Sequence, residues 1–422
     1  MITPGFSLTA TERVLPRLAL DFTTASLDPR VTFTRTGNTA TVTNSSGLIA
    51  PINADLPRFD FDPITLACKG LLIEEARTNL LTYSEQINNP IWVNYGSISI
   101  AANATTAPDG NLTADNVIPA ASTGTFAFGQ TIIKAVSAIT YTLSGYSKSA
   151  GYDFLIFRID GLAGDGVKGA FNISTGVIST AFTTNGVGWA VGSAAINSVG
   201  NGWYRWSVTF TTNTASSLRT IIYVSNVTGD GFSVPPYTAN GSSGIYNWGA
   251  QLETGAFPTS YIPTVASAVL RNADQATMTG TNFSSWYNAT QGTIFAYADT
   301  ASSNGVISSI TDGTIANEIS LYTAITTRVF SLVRVANATQ ANPDVSPVSL
   351  GTAFKVAQTY LANSFSIILN GGTASSVASG TVPTVNKMDI GLRSGTYLNG
   401  HLRQLFYYSI ALTNRQIQAI TK

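Results

Sequence analysis

Histidine and cysteine are almost absent from this chain: His401 and Cys68 are the only ones in 422 residues. One cysteine excludes an intrachain disulfide. One cysteine and one histidine together exclude a zinc site of ordinary composition. A Ser-His-Asp triad would have to use His401. Gly400 and the strand that follows place that residue at a strand start on the surface, and no G-x-S-x-G elbow accompanies it. Charge is scarce as well, at 10% of residues against about 25% in ordinary soluble proteins. Lys and Arg balance Asp and Glu at 22 each, so no net field draws in nucleic acid or an anionic membrane. No apolar run reaches the ~18 residues of a membrane span. The opening MITPGFSLTATERVLPRLALDF has no continuous apolar core, so a secretory signal is not expected. Collagen, heptad and β-helix repeats are missing too, which excludes a long fibrous shaft.

Core material is plentiful: 44% hydrophobic residues, with 20 Phe, 17 Tyr and 6 Trp. Little charge with abundant Thr, Ser, Asn and Gly reads as an all-β chain with many turns. Between residues 93 and 264, short β-branched and aromatic runs alternate with Gly-, Asn- and Pro-rich turns, the spacing of a sandwich or barrel. In GWYRWSVTFTT, Trp206, Val208 and Phe210 share one face, and Arg205, Ser207 and Thr209 the other. Trp203, Trp206 and Trp248 read as core. From 265 to 422 a further series runs from GTIFAYADT to HLRQLFYYSIALT, followed by a short helix capped by Asn414 with Ile417 and Ile420 at helical spacing. The expected fold is all-β, with two consecutive antiparallel sandwiches of jelly-roll type. An extended N-terminal assembly segment over residues 1–92, with little helix, precedes them. That segment holds 9 acids and 7 bases of the 44 charged residues, about twice the charge density of the rest, and so reads as a separate unit. Within it, Glu74 to Leu81 could form a short helix.

Residues 57–81, PRFDFDPITLACKGLLIEEARTNLL, concentrate this charge. The string resembles a segment of bacteriophage virion appendage proteins, found in tail and head fibres or spikes, and LALDFTTASLDPRVTFTRTG (18–37) looks like the start of the same block. The resemblance covers roughly residues 18–84. It implies a viral particle protein, located in the virion, assembled in the host cytoplasm and released by lysis. The 93–264 region, closing in GAQLETGAFPTSYIPT, resembles phage-borne carbohydrate-binding jelly rolls. Residues 265–422 resemble a concanavalin A-like or laminin G-like sandwich. Jelly rolls of that type often hold a structural calcium through loop oxygens, for which Asp109, Asp230 and Glu253 could serve; no other cofactor is expected.

Arg58, Asp60, Asp62, Glu74, Glu75 and Arg77 are the assembly candidates, either pairing within the chain to fix the fold or pairing with another chain or the particle. Sugar binding asks for an aromatic face against the apolar face of a pyranose, with amides or carboxylates on its hydroxyls. Tyr152, Trp189, Tyr237, Trp286, Tyr287 and Tyr397, all near expected loops, are the candidates, with burial in the core as the competing reading for each. Glycoside hydrolysis would need two flanking carboxylates. Asp153, Asp160 and Asp165, or Asp312 with Glu318, carry no such spacing, so no catalytic residue is expected. GLAGDGVKG (161–169) lacks the Gly-Lys-Ser/Thr of a phosphate loop and reads as a turn. The partners expected are the chain itself as a homotrimer, other virion proteins and a bacterial surface glycan, without nucleic acid and without membrane insertion. The alternatives are a capsid or tail decoration protein with a packing role, or a glycan depolymerase.

Overall fold

The computed structural model describes residues 14–161, 164–324 and 327–422. Among these the chain is mostly strand in antiparallel ladders, with the short helices Thr281–Ser284 and Asn414–Thr421. Two sandwiches result. In the first, one sheet runs in the order Val93–Tyr95, Ala127–Ile133, Ser217–Ser225, Phe154–Asp160, Gly166–Asn172, Val177–Asn185. The facing sheet runs Ile98–Thr106, Leu112–Pro119, Gly244–Thr254, Thr140–Ala150, Tyr204–Thr211, Ala190–Ser198. Strand alternation sends Leu155, Phe157 and Ile159 inward from one sheet to meet Trp206, Val208 and Phe210 from the other. The Phe157 and Trp206 rings meet edge to face at 4.9 Å, a geometry worth about 0.5–1.5 kcal/mol beyond the area buried.

The second sandwich is built from both ends of the chain. Its larger sheet orders Ser375–Val377, Ser364–Leu369, Phe354–Leu361, Gln291–Ala298 and Gly400–Tyr408, then Cys68–Ile73 and Phe59–Phe61, and Leu18–Asp21 also pairs with Gly400–Tyr408. The opposing sheet begins with Thr32–Thr34 on Gln275–Thr279 and continues through Lys387–Ile390, Val306–Thr311, Glu318–Ala324 and Arg328–Val335. Leu18, Leu20, Phe33, Leu71 and Ile73 enter the same core as Ile294, Ile310, Val356 and Met388. The expectation of a separate N-terminal unit is therefore corrected: these strands complete the C-terminal sandwich. Charge density misled because much of the charge is buried in ion pairs rather than spread over a solvated surface.

Residues Arg77–Asn79 pair with Val269–Arg271, so the first sandwich leaves and re-enters the second through adjacent strands. The helix expected over Glu74 to Leu81 is replaced by this ladder, where backbone groups find partners that an isolated two-turn helix would leave unmet. Gly70, in the middle of the charged block, has φ +100°, and a Cβ there would lie 2.3 Å from the Leu402 carbonyl oxygen. Only glycine lets these two strands approach so closely. At the other end, the final helix is capped one residue earlier than expected. The Thr413 hydroxyl accepts from the Gln416 N–H, and the Gln416 side chain accepts from the Thr413 N–H. Ile417 is buried against the outer side of the large sheet, beside Phe295 and Leu412.

Candidate functional site

The assembly candidates resolve into pairs made within the chain. Arg58 bonds Glu74 (2.7 Å) and Asp274, Arg35 takes the other Asp274 oxygen (3.1 Å), and Arg271 lies 3.4 Å from Glu74. Of these five side chains only Glu74 has any exposure, at 8%. Ser260, in the segment leaving the first sandwich, donates to Glu74 through its N–H (2.8 Å) and its hydroxyl (2.7 Å). Burial opposes the Glu74 charge, but Arg271 and Arg58 outweigh it and hold the carboxyl far below its usual range. Asp60 is likewise buried, accepting from Lys69 (2.5 Å) and from His401 Nε2 (3.0 Å). His401 Nδ1 faces Asp299 at 2.9 Å, and Arg403 bonds the same carboxylate at 2.6 Å. His401 is thus enclosed between two carboxylates rather than on the surface, because Asp299 follows the flanking strand Gln291–Ala298 and Asp60 reaches it from Phe59–Phe61, one strand beyond the flanking Cys68–Ile73. Arg77 pairs with Glu75 (2.6 Å) and lies over the Phe257 ring at 4.8 Å. Arg58, Asp60, Glu74 and Arg77 therefore present no free charge to another chain. Asp62 caps its own turn through the Ile64 and Thr65 N–H groups (3.0 and 2.7 Å), and both it and Glu75 keep partial exposure.

Four of the six aromatic candidates are core side chains, a correction that follows from how the loops fold back over the sandwich ends. Tyr152 and Tyr237 meet edge to face at 5.5 Å, and the Tyr237 hydroxyl donates to the Val224 carbonyl at 2.8 Å. Trp189 lies on Phe210, and Trp286 on Tyr407. Tyr287, partly buried, stacks on Phe283 at 4.6 Å. None of these offers an open ring face. Tyr397 lines a cleft.

That cleft grows from strand alternation. In Lys387–Ile390, Met388 and Ile390 enter the core, leaving Lys387 and Asp389 on the outer face. Register sets Asp389 beside Ser309, and Thr311 between Lys387 and Glu318. The hairpin Leu392–Arg393 to Thr396–Tyr397 folds over this face, turning through Ser394 and Gly395, both at positive φ (46° and 81°). Two positive φ values match the twist of a two-residue hairpin. The enclosed volume is about 230 Å³, with Gln275 at its edge. Arg393 grips Glu318 through two bonds of 2.6 Å, and Arg334 stands 3.5 Å away. Lys387 is 3.0 Å from one oxygen of Asp389, whose Oδ1 is buried with no donor from the described residues. Burial pushes the Asp389 carboxyl up, and Lys387 only partly offsets it. A buried acceptor left unmet costs about 1–3 kcal/mol, so turning this carboxylate toward a hydroxyl donor in the cleft would be favoured. The pattern that could have marked the site is K-M-D-I: two charges alternating with two core residues in one short strand.

Asp109, Asp230 and Glu253 do not converge. Asp109 caps a turn at Asn111, Asp230 pairs with Lys168 at 3.0 Å, and Glu253 is buried on Thr259 and Gln251. Among the described residues no group of three or more His, Cys, Asp or Glu side chains could hold a metal ion. Of the glycine-rich stretch, Gly166 onward is strand, while residues 162 and 163 lie outside the described residues. No helix among the described residues is long and apolar enough to cross a membrane.

No protein-family model matches the chain, and no curated protein does. Solved structures do align. The CBM40 of the Ruminococcus gnavus IT-sialidase, bound to alpha2,3 sialyllactose, covers 32% of this chain and 84% of its own at 20% identity, with a TM-score of 0.28. The heptameric SAP-like pentraxin from Limulus polyphemus covers 32% of this chain and 70% of its own at 15% identity and TM-score 0.27. Domains LG4-5 of the mouse laminin alpha1 chain cover 70% and 90% at 10% identity and TM-score 0.23. Likenesses at these scores carry no argument about what this chain binds. Its assignment as an all-β chain of two antiparallel sandwiches rests on its own strand pairing.

Proposed function

We propose that the chain is a structural component of a phage particle, a fibre- or spike-type appendage whose sandwiches present a glycan-binding face to the host surface. The virion part of this reading rests on the resemblance of residues 18–84 to phage appendage proteins. The glycan part is carried by one observation: the buried Asp389 Oδ1, without a protein donor, in a cleft that also holds Tyr397, Gln275, Lys387 and Arg393. A sugar hydroxyl donates to this carboxylate once it turns toward the cleft, and Gln275 and the cations meet further hydroxyls. At about 230 Å³ the cleft is smaller than the ~300–1,000 Å³ of drug-type pockets, which suits the end of a saccharide rather than a long chain. Weak single sites gain avidity when repeated, so a homotrimer is part of the proposal. The reading is of binding without catalysis, supported by Arg393 holding both carboxylate oxygens of Glu318.

The test is titration calorimetry of the full chain with host surface polysaccharide fragments. Asp389→Asn and Tyr397→Ala are each expected to weaken binding by about ten-fold, roughly 1.4 kcal/mol. Unchanged affinity in both variants would reject this cleft. Light scattering of the same sample checks the trimer, and a monomer throughout the titration range rejects it. A packing role as a decoration protein is favoured by one feature. Ile133, Val136 and Val187 are 85%, 71% and 79% exposed, on a strand end and two turns that approach residues 213–217 at one end of the first sandwich.

A further inference from the structure

A second cleft, of about 420 Å³, opens where the two sandwiches meet. Its walls come from three parts of the chain: Lys69 from the N-terminal strands, Arg205 and Phe257 from the first sandwich, and His401 and Arg403 from the second. The carboxylates at the same seam are all engaged. Asp299 accepts from His401 and Arg403, Asp60 from His401 and Lys69, and Glu74 from Arg58 and Ser260. Asp62 spends its carboxylate on its own turn.

The cations are less fully matched. Arg205 has no carboxylate within ion-pair distance among the described residues; it donates to the Thr259 carbonyl and lies over Tyr146 at 5.6 Å. Its Nε is buried without an acceptor. Lys69 and Arg403 each hold a single carboxylate and keep 30% and 17% side-chain exposure. Both nitrogens of His401 face carboxylates, which favour the doubly donating, protonated ring. Just behind Glu74, three guanidiniums share two carboxylates. Of the Lys and Arg side chains lining the cleft, Arg205 is therefore the one without a carboxylate partner among the described residues.

We infer that this seam cleft is a binding site for a small anionic group, a carboxylate, sulfate or phosphate, held between Arg205 and Arg403 with Lys69 at the rim. Guanidinium forks suit such planar or tetrahedral oxyanions. Phe257 gives the cleft one apolar wall, so an oxyanion carried on a sugar ring fits as well as a free ion. An anion bound there touches both sandwiches and ties them together. This inference is independent of the sheet-face cleft, which is lined by different residues.

The experiment is titration of the full chain with sodium sulfate, inorganic phosphate, glucuronate and neutral glucose at fixed ionic strength, read by calorimetry and by thermal midpoint. Saturable binding of the anions, absent for glucose, is expected. Arg205→Gln should weaken it at least ten-fold, and Lys69→Gln, at a rim position that tolerates change, several-fold. Glucuronate binding tighter than sulfate would identify a saccharide-borne acid, and equal affinities a free oxyanion; either supports the site. Non-saturable shifts, or affinities unchanged in both variants, overturn it. Asp389→Asn locates the anion: loss of anion binding in that variant moves the anion to the sheet-face cleft and also overturns the inference. Loss of neutral-saccharide binding alone in Asp389→Asn bears only on the proposed glycan face.

Discussion

Asp274 is the most consequential single side chain in the fold, and its removal is a sharp test of how the two chain ends are joined. The carboxylate is fully buried and accepts from Arg35, from Arg58 and from the Glu74 N–H at 2.9 Å, with Arg271 4.0 Å away. Asp274→Ala leaves three guanidiniums facing Glu74 alone. Removing one partner of a buried ion pair costs about 3–5 kcal/mol because the remaining charge stays desolvated. The orphaned Glu74 N–H adds about 1 kcal/mol. Against a total stability of ~5–15 kcal/mol, a loss near 4 kcal/mol lowers the urea midpoint by about 2 M at an m of ~2 kcal/mol/M. The assay is urea unfolding followed by tryptophan fluorescence and circular dichroism, for Asp274→Ala, Arg58→Met and the double variant. Because the two residues are direct partners, the double variant should lose less than the sum of the single losses, by about 0.5–3 kcal/mol. A single-variant loss under about 1 kcal/mol, or strict additivity, would refute the reasoning and mean that the cluster is solvated and structurally passive.

Stability should also depend on pH through His401, the only histidine in the sequence. Burial works against its protonation, but Asp299 and Asp60 outweigh it and raise the ring above its ordinary range, with Lys69 opposing and Arg403 sharing Asp299. A raised pKa contributes stability that is complete below about pH 6.5, the unfolded value, and fades as pH rises through the folded value. Asp299, lowered to about 2 by His401 and Arg403 against its burial, contributes in the opposite sense, losing stability only in strong acid. Denaturation midpoints should therefore fall as pH rises above about 6.5 in the natural chain, and His401→Gln should flatten that limb; a variant that keeps the slope would assign it elsewhere. Deleting residues 1–79 removes Leu18–Asp21 and Cys68–Ile73 from the strand Gly400–Tyr408 and exposes Leu402 and Leu405. The truncated chain should keep a folded first sandwich but lose the second, seen as a solvent-exposed emission from Trp286, which sits in that core. A native Trp286 signal in the truncation would show that the N-terminal strands are dispensable.

Local chemistry was readable wherever a residue's fate depends on its immediate neighbours. The buried stripe Trp206, Val208 and Phe210 followed from alternation alone, and the terminal helix from Ile417 and Ile420 at helical spacing, though its cap is Thr413 rather than Asn414. The fold class followed from composition and turn spacing, because a chain with so many β-branched residues and turns has few other ways to bury its core. What sequence reading could not supply was partnership across distance. Arg58 meets Asp274 from 216 positions away, and Asp60 meets His401 from 341. Such pairs depend on which strands lie side by side and in what register, and a shift of one residue would turn each charge to the opposite face. The aromatic candidates went astray for the same reason, since a ring near a loop is open or buried according to how that loop closes over the sandwich. Asp389 was legible as one polar position in a strand. Only the pairing of Lys387–Ile390 with Val306–Thr311, and the hairpin folded above them, made it a largely buried carboxylate lining a cleft.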